Sequence, residues 1–426
     1  MKIGILGGGL TGLTIASNLK SDCEVLEKND ECGGLCRSFQ NEGFTFDWGG
    51  AHIIYSKNQA IINYIRKILG KNCRQGRRNN KVYFMGRFVK YPFENGLSDL
   101  PPEDNFECLY YYLNNKYKEP SNFKEWLYFT FGKGIAERYL IPYNRKIWKY
   151  PPEKMSFHWV ERVPKPPIED VIKSAVGIPT EGYTHQLYFY YPKRGGIQAL
   201  IQAFEKKSPQ ILRNFKIKKI KKERKKWHVF GEREIKHYDK LISTIPIFDL
   251  ISYLDNIPQK VKKAFKGLKY NSLITVMLGI DQKKMPDFTA VYFPQPELLF
   301  HRIAFPANFS KNNVPKGKSS IVAEVSSRPN DKIWKMNNKK IINRVIQDLH
   351  KSRIINKKKV FYQKVMRSKY AYVIYDKNYL KHIKTIRDYI KKLGIKLCGR
   401  FAEFEYLNMD ICIERGLKMA EKISNI

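Results

Sequence analysis

An α/β fold is predicted for this 426-residue sequence, in which a discontinuous Rossmann-like dinucleotide-binding domain carries an inserted helical domain and an antiparallel β-sheet domain. Three features predict it. The first is an apolar run, Lys2-Ile3-Gly4-Ile5-Leu6, that leads into Gly7-Gly8-Gly9-Leu10-Thr11-Gly12, with Glu27 closing the next apolar run, Cys23 to Leu26. The second is a block from Phe106 to Trp148 whose aromatic and aliphatic residues recur at helical spacing. The third is a set of strand-like runs between Asn271 and Ser326, including Leu273 to Ile280 and Ser320 to Val325.

Each element has a local reason. Gly7-x-Gly9-x-x-Gly12 after a short strand gives a tight turn, a close backbone approach and an unobstructed helix start, so that a pyrophosphate rests on free N–H groups at the positive end of the helix read over Leu13 to Leu19. Glu27 falls about 20 residues on, where a carboxylate accepts from a ribose diol. Ile61 to Leu69 reads as a helix, and Lys81 to Pro92 as a hairpin turning at Met85-Gly86-Arg87. Leu187 to Tyr191 is a strand closed by Pro192, followed by Gly195-Gly196 and an amphipathic helix from Ile197 to Phe204. Lys240 to Pro246 reads as a buried strand returning to the first domain, and the chain closes with Lys396 to Arg400 and a helix from about Asp410 to Ile423 that has Ile413, Leu417 and Ala420 on one face. The expected division is 1–80, 186–250 and 376–426 for the dinucleotide domain, 81–185 for a mainly helical substrate domain and 251–375 for the antiparallel-sheet substrate domain.

Composition narrows the function. Hydrophobic residues at 43% and aromatic residues at 14% describe a globular chain. The sequence opens directly into a strand, and no window approaches the roughly 18 apolar residues of a membrane span, so a soluble cytoplasmic protein is expected. Seven scattered cysteines argue against a disulfide framework; Cys32 and Cys36 read as a packed, reduced pair, and no metal is expected. The net charge of +38 is spread along the whole chain. Its densest run, Phe215 to Val229, partly alternates apolar and basic residues, which is the pattern of a half-buried hairpin with a solvated basic face. No dedicated nucleic-acid site is expected, while the field favours negatively charged substrates. Peripheral membrane association and oligomerisation stay open.

Several further motifs converge on one family. Gly33-Gly34-Leu35, after the acid, resembles the second glycine turn of large FAD-dependent oxidoreductases, and Asp47-Trp48-Gly49-Gly50-Ala51-His52 follows it. Tyr91-Pro92-Phe93-Glu94-Asn95, Phe123-x-Glu125-Trp126, Gly132-x-Gly134-Ile135-Ala136, Pro142-Tyr143-Asn144-x-Lys146-x-Trp148, Glu161-Arg162-Val163, Arg194-Gly195-Gly196 and Gly399-Arg400-Phe401 run in order along almost the whole chain. Together they resemble the UDP-galactopyranose mutases, especially the eukaryotic type, within the amine-oxidase and protoporphyrinogen-oxidase-like flavoproteins. The resemblance implies a GR2-type FAD-binding domain, with FAD active when reduced by NAD(P)H or another donor, and a nucleotide-diphosphate sugar as substrate. In that family the reduced flavin N5 attacks the anomeric carbon, the diphosphate leaves, and the sugar recloses as a furanose for glycan biosynthesis.

The same resemblance implies the site residues. Arg162 and Arg302 fall where the family holds the diphosphate, and Tyr372 and Tyr406 match tyrosines that reach it; a guanidinium suits phosphate through two charge-assisted hydrogen bonds. Tyr91, Phe93 and Glu94 fall at the base. Gly7, Gly9, Leu10, Thr11, Gly12, Glu27, Gly34, Leu35, Gly50, His52, Arg400, Asn408, Met409 and Asp410 fall at the flavin, with Asp410 expected as the N-cap of the last helix and His52 beside the reactive face. Arg162, Arg302 and His52 are the candidates for a catalytic role.

The departures are informative. Ala51 lengthens the loop between Asp47 and His52, Gly399-Arg400-Phe401-Ala402-Glu403-Phe404 replaces a Gly-Arg-Phe-Gly-x-Trp pattern, and Phe309 stands where a tyrosine is expected. Glu94 replaces a glutamine. An ionised Glu94 offers only acceptors, repelling a uracil carbonyl and suiting a base edge with two donors such as guanine; the alternative is that Glu94 points away and the backbone reads uracil. Two other functions remain open at this stage: a flavin oxidase or desaturase of the amine-oxidase class, and a basic flavin-bearing scaffold at an anionic surface.

Overall fold

The computed structural model describes residues 1–160, 165–182 and 184–425. Its organising element is a parallel five-stranded sheet ordered Ile395–Leu397, Lys240–Ser243, Ile3–Leu6, Cys23–Leu26 and Ile211–Leu212. Five short strands from four separate stretches of sequence thus make one layer. Ile3–Leu6 lies near its centre and is wholly buried, which is why it carries no polar side chain.

The glycine turn after Ile3–Leu6 starts a helix over Leu10–Ala16, three residues ahead of the expected Leu13, because Gly9 O already accepts from Leu13 N at 3.0 Å. The helix also ends early. Asn18 Nδ2 and Ser17 Oγ donate to Thr14 O at 2.8 and 3.3 Å, satisfying a carbonyl that a longer helix would have used. A Cβ on Gly12 would sit 2.1 Å from Gly7 O, so only glycine lets strand and helix approach this closely.

The second sheet has seven strands, ordered Val360–Ile374, Lys269–Ile280, Ser319–Ser327, Arg302–Ala304, Ala290–Tyr292, Asn80–Phe84 and Arg87–Lys90. All neighbours are antiparallel except Ala290–Tyr292 against Asn80–Phe84. The expected hairpin at Met85-Gly86 forms, with both turn residues at positive φ, but it completes this sheet instead of opening the helical insertion. The helix Asn338–Lys351 covers one face through Ile341, Val345 and Leu349.

The insertion itself consists of helices Pro102–Leu113, Phe123–Ile135, Ile141–Trp148 and Ile168–Ala175. They enclose a core of Phe93, Leu127, Phe131, Ile135 and Tyr139, joined to the large sheet through Val82, Leu273 and Tyr372. The basic run forms a hairpin, Lys219–Glu223 with Lys226–Phe230, continued by Ile235–Tyr238. Ile220, Trp227 and Val229 face the core while most of its lysines face solvent. No described helix is long and apolar enough to cross a membrane.

The last helix spans Met409–Ser424, and its N-cap is Asn408, whose carbonyl accepts from Cys412 N at 3.0 Å. Asp410 is therefore in the first turn and is not the cap. It still lies at the positive end of the helix.

Candidate active site

A cavity of about 1360 Å³ runs from the glycine turns of the parallel sheet, past the loop at Trp48 to Asn58, to an aromatic compartment between the seven-stranded sheet and the helical insertion. Of the residues expected at a flavin, Gly7, Gly9, Leu10, Thr11, Glu27, Gly34, Leu35, His52, Arg400, Asn408, Met409 and Asp410 line it. Gly12 and Gly50 lie behind the wall, where they permit close backbone approaches. Of those expected at a substrate, Tyr91, Phe93, Glu94, Arg302, Tyr372 and Tyr406 line it. Arg162, with Glu161 and Val163, lies outside the described residues.

At the dinucleotide end, Glu27 follows its strand and accepts from Gly8 N and Asn29 N, each at 2.9 Å, fixing both sides of the turn. The space in front of Gly9 is open for more than 4 Å where a Cβ would be, while Gly33 N donates to Gly8 O at 2.8 Å and brings the second glycine turn beside the first. The loop from Trp48 to His52 is held by buried Asp47, which accepts from Ser38 Oγ at 2.8 Å, Tyr191 OH at 3.0 Å and Ile197 N at 3.1 Å.

His52 Nδ1 lies 2.7 Å from Gly50 O, so Nδ1 carries the proton and Nε2 is left as an acceptor. Burial, with Arg302 and Arg400 adding repulsion, pushes its pKa down to about 4, and the ring is neutral at physiological pH.

Arg302 begins the central strand of the seven-stranded sheet and is gripped by Glu324 on the adjacent strand, Nε to Oε1 at 3.0 Å and Nη2 to Oε2 at 2.7 Å. Glu324 is fully buried, lies 3.8 Å from His301 Nε2 and accepts from Ala51 N at 3.1 Å. A Cβ on Gly50, which has φ +94°, would sit 2.8 Å from this carboxyl group. One carboxylate thus aims the arginine and anchors the loop that carries His52. Arg302 Nη1 donates no hydrogen bond among the described residues, and the side chain keeps a quarter of its surface open to the cavity.

Around it the aromatic walls converge. The rings of Trp148, Tyr372 and Tyr406 lie within 5.9 Å of one another, and Arg400 lies over Tyr406 at 4.2 Å while its Nη1 and Nη2 donate to Leu407 O and Ala371 O. Burial pushes the Tyr372 phenol above its ordinary range, so it is a neutral O–H donor. Tyr91 packs on Tyr292 at 4.7 Å and has Arg78 over its face. Phe93 is 0% exposed, and its ring is engaged by Tyr139 and Phe84, so it supports the compartment from behind.

Two residues were missed in the sequence. Arg78 lies over both Tyr55 and Tyr91, donates to Gln186 and Tyr292, and makes no ion pair among the described residues. Nothing in a lysine- and arginine-rich chain singles it out. Glu324 did leave a signal: it is a lone acid in the middle of Ser319–Ser327, a strand that is otherwise apolar or small and is buried at every position.

A Rossmann-like sheet with two glycine turns, an acid closing its second strand and a deep cavity between it and an antiparallel sheet defines a class of flavoproteins. The sequence profile of the flavin-containing amine oxidoreductases matches residues 10–424, and the chain belongs to that family. The crystal structure of reduced UDP-galactopyranose mutase superposes with a TM-score of 0.90 at 28% identity, covering 100% of this chain and 94% of that one. A CLA-producing fatty acid isomerase from P. acnes has the same fold, with a TM-score of 0.67 at 15% identity, covering 99% and 98% of the two chains. A 4,4'-diapophytoene desaturase of Staphylococcus aureus (strain MRSA252) is 39% identical over 93 residues, 20% of this chain and 18% of the desaturase; the chain thus spans under a fifth of the length of the curated relatives it matches.

The cofactor is accordingly FAD. The residues present fit it: the open face of Gly9 suits a pyrophosphate, and the Glu27 carboxylate suits a ribose. The buried Arg400 Nε and Asp410 Oδ1 lack a hydrogen-bond partner among the described residues, giving one donor and one acceptor near the N-terminus of the last helix.

Proposed function

We propose that the protein is a FAD-dependent nucleotide-sugar mutase that interconverts pyranose and furanose forms, as the UDP-galactose and UDP-galactofuranose pair would be, and that it acts in the cytoplasm for glycan biosynthesis. The observation that carries this reading is Arg302, locked on one side by a buried carboxylate and open on the other to a cavity that begins at the dinucleotide turns. A flavin enzyme acting on a hydrocarbon or a simple amine gains nothing from such a fixed cation, whereas a diphosphate requires one.

Bound reduced FAD supplies the nucleophile for the anomeric carbon. The chain's own residues do the rest. Arg302 Nη1 holds the diphosphate as its bond to the sugar breaks, so the leaving group stays within reach for return. Tyr372 and Tyr406 add phenol O–H donors to the same anion, and Tyr91 offers a ring for the base to stack on. His52 keeps its Nδ1 proton on Gly50 O and presents Nε2 as an acceptor near the reacting centre, tuning it electrostatically without shuttling protons in the physiological range.

The test is to incubate dithionite-reduced protein with UDP- and GDP-sugars and resolve the products by chromatography. A new isomer of the sugar nucleotide, formed catalytically without stoichiometric use of reductant, is expected. Oxygen uptake by the oxidised protein with an amine or polyene, and no isomer under reducing conditions, would replace this reading with the oxidase or desaturase one.

A further inference from the structure

Glu94 is the least expected group in the cavity wall. It is only 4% exposed. It lies in the short turn Phe93–Asn95 that follows Tyr91, on the same stretch as the ring proposed to stack on the base. Phe123, Leu127, Phe131 and Tyr139 of the helical insertion line the same cavity, and Tyr139 is one of the phenols close to Glu94. A carboxylate so placed is normally paired with a cation, because an isolated buried charge costs several kcal/mol.

No ion pair to Glu94 exists among the described residues. Its carboxyl is hydrogen-bonded to its own backbone N–H. The charged groups of the surrounding segments are engaged elsewhere: Arg78 on Gln186 and Tyr292, Lys90 on Thr180 O and Glu181, and Arg138 on Asp104 and Glu107. The titratable groups that face it are the phenols of Tyr91, Tyr112 and Tyr139, all held in their neutral form by burial. A carboxyl without a cation among aromatic rings relieves the cost of burial by keeping its proton. Burial thus favours the neutral form of Glu94 over the ionised one considered from the sequence.

We propose that Glu94 reads the base of the nucleotide as a neutral acid, its O–H donating to a ring carbonyl and its C=O accepting from the neighbouring ring N–H. The imide edge of uracil offers that pair, as does the O6/N1–H edge of guanine; a uridine diphosphate therefore binds while the carboxyl is protonated and is rejected as it ionises. The inference rests on the nucleotide-sugar reading above and names the base edge read within it. In the protonated state the carboxyl has the one-donor, one-acceptor pattern of a carboxamide; in the ionised state it has acceptors alone and opposes the uracil carbonyl.

Burial pushes the Glu94 pKa up to about 7. The protonated fraction therefore falls about 30-fold between pH 6 and pH 8.5, and the affinity for UDP falls by about the same factor if binding requires the proton. The experiment is calorimetric titration of the FAD-loaded protein with UDP and with GDP at those two pH values, for the wild type and Glu94→Gln. Because titration of the terminal phosphate is common to both proteins, the readout is the ratio of their affinities. UDP affinity that drops about 30-fold with pH in the wild type relative to Glu94→Gln is the expected result. UDP binding with the same pH dependence in both proteins would overturn the role of Glu94 and leave the nucleotide-sugar reading standing. GDP affinity that rises with pH in the wild type would overturn it in favour of a carboxylate reading guanine. Absence of binding by either nucleotide, in either protein and at both pH values, would overturn the inference and the nucleotide-sugar reading together.

Discussion

Replacing Glu324 by glutamine tests the arrangement on which the proposed site depends. The substitution keeps the volume, but it replaces one of the two acceptors facing Arg302 Nε and Nη2, 3.0 and 2.7 Å away, with an amide donor. Whichever way the amide turns, one N–H of the guanidinium meets another N–H. Breaking a buried ion pair by altering one partner costs about 3–5 kcal/mol. The open quarter of the Arg302 side chain lets water compensate in part, so the cost falls near the lower figure. With an unfolding entropy of about 2.1 cal/mol/K per residue over the full chain, about 3 kcal/mol lowers Tm by roughly 3 °C.

Stability is the smaller half of the prediction. On the proposed role of Arg302, a guanidinium that loses its fixed aim loses one charge-assisted hydrogen bond to the diphosphate, worth about 1.5–3 kcal/mol, so the nucleotide Kd rises about ten- to hundredfold. The assay pairs differential scanning calorimetry with isothermal titration of UDP, and the visible spectrum reports flavin content, which stays unchanged. The double variant Glu324→Gln/Arg302→Met recovers most of the lost stability and none of the affinity. A Tm drop without a change in Kd would assign the pair a structural role only and refute the reasoning.

Other outcomes follow from the same geometry. Arg302→Ala keeps its flavin absorbance and weakens nucleotide binding more than tenfold; unchanged affinity in calorimetry removes Arg302 from the diphosphate site. Gly12→Val forces the first helix off its strand, since a Cβ there meets Gly7 O at 2.1 Å, so the protein purifies without flavin absorbance; a variant with full flavin content contradicts the close-approach argument. Because the His52 pKa lies at about 4, His52→Gln lowers turnover but leaves the shape of its pH profile between pH 5 and pH 8 unaltered, and loss of an acid limb in that window would show that His52 titrates there. Glu94 binds its proton more tightly in the folded than in the unfolded state, its pKa rising from 4.5 to about 7, so its contribution to stability is complete below pH 4.5 and is lost as pH rises through about 7. Denaturant titrations at pH 4.5 and pH 8 should show that loss as about 3 kcal/mol relative to Glu94→Gln, and parallel pH profiles for the two proteins would contradict the buried, unpaired state.

The dinucleotide-binding turn was legible because its signal is local. Glycines at 7, 9 and 12, an apolar strand before them and an acid about 20 residues later act through backbone geometry within one βαβ unit, and no distant residue is needed to interpret them. The same holds for the hairpin at Met85-Gly86, whose turn chemistry is contained in two residues. Boundaries were less legible. Leu10 begins the first helix because Gly9 supplies its carbonyl, and Asn408 displaces Asp410 as the last N-cap, both decided by single hydrogen bonds that periodicity does not register.

The site shows the same division. The residues proposed for phosphate, ribose and base are named without the fold, Glu27 from its spacing after the glycine turn and Arg302 and Tyr91 from the family resemblance. The sequence by itself determined the βαβ motif, the alternation of helical and strand-rich blocks and the roll of candidate polar groups. Only the tertiary structure decided that Arg302 is locked by Glu324 on the neighbouring strand, that the same carboxylate secures the backbone before His52, and that Arg78 enters the cavity. The physical reason is that ionisation and orientation depend on solvent exclusion and on partners tens to hundreds of residues away. Glu94 makes the point most sharply: its letter in the sequence denotes a charge, and its burial beside phenols pushes its pKa up to about 7.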